Sequence, residues 1–278
     1  MMIVDKIRQR YRLYYVLTLM RVARPLGVRG ALEFYYIVPI KWLVRWLTGL
    51  GGLKYIELLL SPLLLNTKYG LFYTHVSNID LLFKEVYEVE SILPKLVSKD
   101  TVFIDVGAYK GFYTVWACRH ARRVISVEPN PAALAYLKVN IALNKCSNVT
   151  VVSKAVSDRR GYAKLKIPKE PEKELIPTAS SIVRDFKEAF EVKVETDTLD
   201  SILEEVGVDS VDFIKIDVEG AEGLVVRGAE KALKEAKAVL IEIWPENVWV
   251  IRHLQNNGYK LAEIIDHITY KNYLFIRR

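Results

Sequence analysis

From about residue 100 the chain alternates short β-branched runs with longer helical stretches. Thr101–Val106, Val124–Glu128, Val149–Ser153, Val211–Asp217 and Ala238–Ile243 are short runs rich in β-branched residues, the composition of strands. Gly111–Ala121, Pro131–Asn144, Gly220–Glu235 and Glu246–Asn257 predict helices between and after them. Strands alternating with helices build βαβ units and hence a parallel sheet covered on both faces. The end departs from this rhythm. Tyr259–Ile265 and Thr269–Ile276 are two strands with only a short turn between them, and so short a connection joins only antiparallel strands. The last strand is therefore predicted to run backwards. Between the third and fourth strands lies a long insert with Tyr162–Ile167, Glu191–Val194 and a helix at Leu199–Val206.

The first sixty residues follow another pattern. Leu, Tyr, Trp and Val are interleaved with basic residues, as in Lys41-Trp42-Leu43-Val44-Arg45-Trp46-Leu47, and Pro25, Gly27, Pro39 and Gly49–Gly52 break the segment into two or three helices. No uncharged stretch approaches the roughly 20 residues of a membrane span. We divide the chain into a basic, aromatic-rich helical segment, 1–65, and an α/β domain, 66–278.

Charge sharpens that division. The net charge is +7, and residues 1–60 hold ten Lys/Arg against three acids, so the remainder is balanced. Such a segment suits an anionic membrane surface, aromatics down and Lys/Arg against headgroups; a helical cap on the main domain is the alternative. Of 278 residues 51% are hydrophobic and 26% charged, which excludes a disordered or low-complexity chain. Cys118 and Cys146 are too few for a disulfide framework and lack metal-ligand spacing, which points to a reducing setting. With no signal-peptide pattern, the expected location is cytoplasmic, peripheral on the cytoplasmic membrane face.

Open parallel sheets bind ligands beyond the carboxyl ends of their strands. The first strand ends Asp105-Val106-Gly107-Ala108-Tyr109-Lys110-Gly111, whose glycines admit a ligand close to the backbone. The spacing matches neither a dinucleotide fingerprint nor a phosphate-cradling loop, so the expected ligand is nucleoside-like without requiring a pyrophosphate. Glu128, 23 residues after Asp105 and followed by Pro129 and Asn130, is placed to accept hydrogen bonds from ribose hydroxyls. Ser153-Lys154-Ala155 ends the third strand with a small residue suited to an adenine face. The fourth ends Lys215-Ile216-Asp217-Val218-Glu219-Gly220-Ala221-Glu222. Helix-dipole stabilisation explains part of its acidity, and Asp217 least of all.

These stretches resemble class I S-adenosylmethionine-dependent methyltransferases, specifically the FkbM family. FIDVGAYKGFYT (103–114), SVEPNP (126–131), KAVSD (154–158), TLDSIL (198–203), KIDVEGAE (215–222) and LIEIW (240–244) carry the resemblance, which covers about 66–278. It implies a Rossmann-like seven-stranded sheet with an antiparallel last strand and S-adenosyl-L-methionine as cofactor. It further implies a cofactor-binding set of Asp105, Gly107, Ala108, Tyr109, Gly111, Glu128, Pro129, Asn130, Lys154 and Ala155, with Asp217 near the methyl group. O-methylation of a hydroxyl on a sugar, glycolipid or related small molecule is the implied activity. Two departures stand out: Trp244 follows Glu242-Ile243 where relatives often carry a His, and Lys110 replaces a frequent Asn.

An alcohol acceptor needs a general base. Asp217 is the expected base, with Glu219 and Glu242 as alternatives; among histidines, His253 and His267 fall in structural positions and His75 precedes the core. No His or Cys cluster supports zinc, and no metal is expected, with oxygen ligation of magnesium by Asp217, Glu219 and Glu242 as the alternative. Ser180-Ser181 of the insert are candidates to face the acceptor. Two rival functions are an RNA methyltransferase and a non-catalytic membrane-peripheral module that binds the cofactor. Nucleic acid is not the expected partner: the fourth strand lacks an N-P-P motif, and neither cysteine sits in a loop suited to attack on a base.

Overall fold

The structure is a computed structural model that describes residues 23–25, 63–74, 86–168, 180–267 and 270–278. The helices expected within 1–60 lie outside the described residues. What is described there is a strand, β1 (Ala23–Pro25), which pairs antiparallel with β2 (Leu63–Thr67); β2 in turn pairs with β3 (Gly70–Thr74). A π-helical turn, Glu88–Ile92, runs into α1 (Leu93–Leu96). The alternating unit then begins: β4 (Val102–Val106), α2 (Phe112–His120), β5 (Arg123–Val127), α3 (Pro131–Leu143) and β6 (Val149–Val152). The insert supplies β7 (Ala155–Val156), β8 (Gly161–Pro168), β9 (Ala189–Asp197) and α4 (Leu199–Glu205). The chain finishes with β10 (Phe213–Ile216), α5 (Glu222–Arg227), α6 (Glu230–Glu235), β11 (Ala238–Glu242), α7 (Trp249–Asn256), β12 (Tyr259–Asp266) and β13 (Lys271–Arg277).

Seven strands form one sheet in the order β12-β13-β11-β10-β4-β5-β6. The inner pairs are parallel and β13 runs antiparallel between β11 and β12, as the short final turn requires. A second sheet, β7-β9-β8, is the insert. Two apolar clusters cover opposite faces of the main sheet. Strand alternation sends Phe103 and Phe213 into one cluster, and Val102, Ile104, Ile214 and Ile216 into the other. This alternation also decides where the charges go: Asp105 and Lys215 lie on the same face as Phe103 and Phe213.

Two details depart from the sequence reading. The helix expected over 220–235 is two helices, because the break at Gly228 packs against the insert; a Cβ there would stand 2.0 Å from the Ser157 carbonyl oxygen. The two cysteines, expected to be reduced, are joined as a disulfide between α2 and the loop after α3, with Cα atoms 5.6 Å apart. They lie 28 residues apart in sequence, and it is the packing of α2 beside α3 that brings them together.

The three-stranded sheet β1-β2-β3 is fastened to the main domain by two asparagines one helical turn apart, Asn140 in α3 and Asn144 at its C-terminal end. Asn140 Oδ1 accepts from the Tyr73 N–H (2.6 Å) and its Nδ2 donates to the Tyr73 carbonyl (3.3 Å). Asn144 does the same for Leu71, at 2.8 and 2.6 Å. The side-chain amides thus stand in for a neighbouring strand along β3, whose edge backbone would otherwise go unpaired.

Reduction of Cys118–Cys146, or the double variant C118S/C146S, is expected to lower Tm by about 10 °C, since opening a loop of this length costs roughly 3 kcal/mol. Thermal denaturation with and without reductant checks this, and an unchanged Tm would contradict it.

Candidate functional site

The carboxyl ends of β4, β5 and β10, together with β7 and the insert, line a cleft that is open at its mouth. Its floor is where the turn after β4 crosses the turn after β10. Gly107 adopts φ +80°, and a Cβ on it would fall 1.8 Å from the Asp217 carbonyl oxygen, so only glycine allows the crossing. Tyr109 (φ +49°) and Glu219 (φ +50°) are non-glycine residues in the left-handed region, one on each of these turns. Strained backbone of this kind persists where surroundings hold it, and it collects at ligand sites.

Glu128 closes the far side. It is buried, and its two carboxylate oxygens accept from the Tyr109 N–H (2.8 Å) and the Asn130 N–H (2.7 Å), so one side chain sets the first and second loops together. Burial pushes its carboxyl up to about 7, against the lowering effect of those two N–H groups. Asn130 also caps α3 through the Ala132 N–H, and its Nδ2 donates to Ser180 Oγ of the insert at 3.0 Å. Ala155, Leu165 and Ile182 add an apolar wall from the insert.

Beneath the cleft a charged network is buried in the sheet. Asp105 accepts from Thr114 Oγ1 at 2.6 Å, and Thr114 Oγ1 lies 2.7 Å from Ser126 Oγ. Lys215 Nζ lies 4.0 Å from Asp105 Oδ1 and 3.3 Å from Asp217 Oδ2, over the Tyr113 ring at 4.8 Å. Burial raises the Asp105 carboxyl above its ordinary value; the Lys215 ammonium opposes that. Asp217, Glu219 and Glu242 then converge, with carboxylate oxygens within 4.8 Å of one another. Glu222 is withdrawn from this group: it accepts from the Gly220 N–H (2.7 Å) and Asn247 Nδ2 (2.6 Å), and burial pushes its carboxyl up to about 7.

Of the residues singled out from sequence, Gly107, Tyr109, Glu128, Pro129, Asn130, Lys154, Ala155, Asp217 and Glu219 line the cleft. Asp105 lies below it, and Ala108 and Gly111 pack against Leu134 and Leu137 of α3. Glu242 reaches the cleft end only as part of the acidic group. Lys154 lines the wall with its stem, while its ammonium is held by Glu205 (2.6 Å), Asp197 (3.3 Å) and Glu195 (3.4 Å). His267 pairs with buried Glu88 at 2.7 Å, His253 lies edge-on to Trp249, and His75 is outside the described residues. Sequence reasoning missed Lys215 and Arg184. A lysine at an inward position of Phe213-Ile214-Lys215-Ile216 was the available signal for the first; the second had none.

A seven-stranded sheet of this order, with a reversed strand inserted between β11 and β12 and a cleft at its strand ends, defines a Rossmann-like methyltransferase fold. Residues 105–274 match the family model described as the methyltransferase FkbM domain, and the chain belongs to that family of S-adenosylmethionine-dependent methyltransferases. A methyltransferase of Sordaria araneosa, sdnD, is 26% identical over 204 residues, covering 63% of this chain and 79% of the relative. The solved FkbM methyltransferase of Methylobacillus flagellatus is similar at 16% identity and TM-score 0.48, covering 96% of this chain; this chain spans only 59% of that one. Aeropyrum pernix fibrillarin, solved with natively bound S-adenosyl-L-methionine, is similar at 13% identity and TM-score 0.41, covering 65% of this chain and 68% of that one.

Gly107→Ala is expected to cost at least about 2 kcal/mol, because the new Cβ meets backbone rather than a side chain that can swing away. Gly207→Ala, also at positive φ but with nothing within 4 Å, should cost only about 1 kcal/mol. Denaturant melts of the two variants compare them directly; equal losses would contradict the crossing described here.

Proposed function

We propose that this cleft transfers a methyl group from S-adenosylmethionine to a hydroxyl of a sugar, glycolipid or related small molecule. The observation that carries the reading is the convergence of Asp217 and Glu219, which line the cleft, with Glu242, in a cleft that Glu128 and Ala155 also line. The residues fit the cofactor. A buried carboxylate with lone pairs still free suits two ribose hydroxyls, a small side chain suits a purine face, and Gly107 and Tyr109 bring backbone close to the methionine portion.

When bound, the cofactor supplies a methyl group on a sulfonium, a leaving group already activated. The chain's own work is to align the acceptor and to take its proton. Asp217 would take the acceptor's hydroxyl proton, so that the acceptor oxygen can receive the methyl group the bound cofactor supplies. Lys215 Nζ, 3.3 Å from Asp217 Oδ2, helps to aim that carboxylate, and Glu219 and Glu242 accept hydrogen bonds from neighbouring hydroxyls. Alignment by several such contacts accounts for much of the rate. The basic, aromatic segment 1–60 would hold the protein at an anionic membrane surface, where a lipid-linked acceptor is found.

Asp217→Asn is expected to lower turnover by roughly 10²–10⁴ while S-adenosylhomocysteine affinity stays within a few-fold. The assay offers methyl-labelled cofactor to lipid, glycan, RNA, protein and small-molecule fractions of the source cells. Base-stable label in glycan, lipid or small-molecule alcohols supports the reading; label in RNA, or full activity of the Asn variant, overturns it. Glu128 provides a second check. Its carboxyl titrates at about 7, so the ionised form that ribose hydroxyls prefer is lost as pH falls. S-adenosylhomocysteine affinity should therefore weaken about tenfold from pH 8 to pH 6 by calorimetry, and Glu128→Gln should bind more weakly with no such slope.

A further inference from the structure

Arg184, on the insert between β8 and β9, does not line the cofactor cleft, yet it makes a direct charged contact with the acidic group. Its Nη1 donates to Glu219 Oε2 at 2.9 Å, and its guanidinium lies 3.7 Å over the Trp244 ring. The stem of the arginine passes over Gly220, where a Cβ would meet its Cγ and Cδ at 3.0 Å. Ser181 fastens the same loop. Its Oγ donates to the Glu219 carbonyl (2.8 Å) and accepts from the Val183 and Arg184 N–H groups at 3.2 and 3.1 Å. Glu219 is thus held at backbone and side chain by one short segment, in a left-handed conformation that a glutamate does not adopt unaided. The Trp244 indole nitrogen is buried with no hydrogen-bond partner among the described residues, so the stacked guanidinium is what specifies this ring's place.

We propose that Arg184 is the positioning residue of the acceptor end: clamped between Trp244 and Glu219, it aims the Glu219 carboxylate into the group with Asp217 and Glu242 and fixes the insert as the wall against which the acceptor is aligned. The inference rests on the acidic group being the acceptor end. Lys215 reaches Asp217 from within the main sheet, and Arg184 reaches Glu219 from a segment outside it. Acceptor alignment becomes a property of the insert, whereas Glu128 and the turn after β4 serve the cofactor alone.

The test compares Arg184→Met, Arg184→Lys, Glu219→Gln and the double variant R184M/E219Q in the full chain. Amide hydrogen exchange, which needs no acceptor, should rise at least about tenfold over residues 181–186 and 218–221 in R184M and stay unchanged in the central strands. S-adenosylhomocysteine affinity should stay within about twofold of the parent. Methyl transfer to the fraction that the parent labels should fall about 100-fold in kcat for R184M. R184K should recover part of it, and the double variant should be no worse than the poorer single one. Unchanged exchange, unchanged transfer, a parallel loss of cofactor affinity, or additive losses in the double variant would each overturn the proposal. If the parent labels no fraction at all, the methyl-transfer reading fails, and the clamp stands or falls on exchange alone.

Discussion

An aspartate and a lysine face one another in the interior of a seven-stranded sheet, and the site depends on that pairing. Asp105 and Lys215 are register partners on adjacent parallel strands, two residues beyond the stacked pair Phe103 and Phe213, whose rings lie 5.0 Å apart. A slip of one residue would turn each charge to the opposite, wholly apolar face, so the register has no near competitor. Removing one partner of such a buried pair costs about 3–5 kcal/mol, because the other charge is left in low dielectric. Since β4 and β10 are locked in this register, the turns that follow them cross at Gly107 and Asp217, and the Lys215 ammonium, 4.0 Å from Asp105, also reaches Asp217 at 3.3 Å. Core packing and the candidate base are therefore one construction.

Around that crossing the other parts act as braces. Glu128 ties the first loop to the second through two backbone N–H groups, and Asn130 continues the link to the insert through Ser180. Asn140 and Asn144 do similar work on the outside, pinning β3 against α3 and, through the Lys110 carbonyl that Asn140 also holds, supporting the turn after β4. Side-chain amides and carboxylates, with their several lone pairs and donors, make these junctions where strand ladders have run out.

The main sheet was legible because its strands are buried on both faces and its final turn too short for a crossover, and the structure gives the strand boundaries to within about two residues. Much of the cleft lining was legible for the same reason: Gly107, Glu128 and Asp217 directly follow strands, Ala155 comes shortly after β6, and strand ends face the site. The residues that were not legible depend on contacts between distant segments. Nothing near Arg184 in sequence points to Trp244 or Glu219, 60 and 35 positions away. Gly228 breaks its helix only because Ser157 packs there, and Cys118 meets Cys146 only once α2 and α3 lie side by side. Local periodicity carries no information about any of these.

The most direct test of the account is a crystal structure of the full chain soaked with S-adenosylhomocysteine. The account predicts the ribose hydroxyls on Glu128, the adenine against Ala155, and the sulfur directed at the space bounded by Asp217, Glu219 and Glu242. Density with the sulfur directed away from those three carboxylates, or a ligand seated outside the cleft, would contradict it.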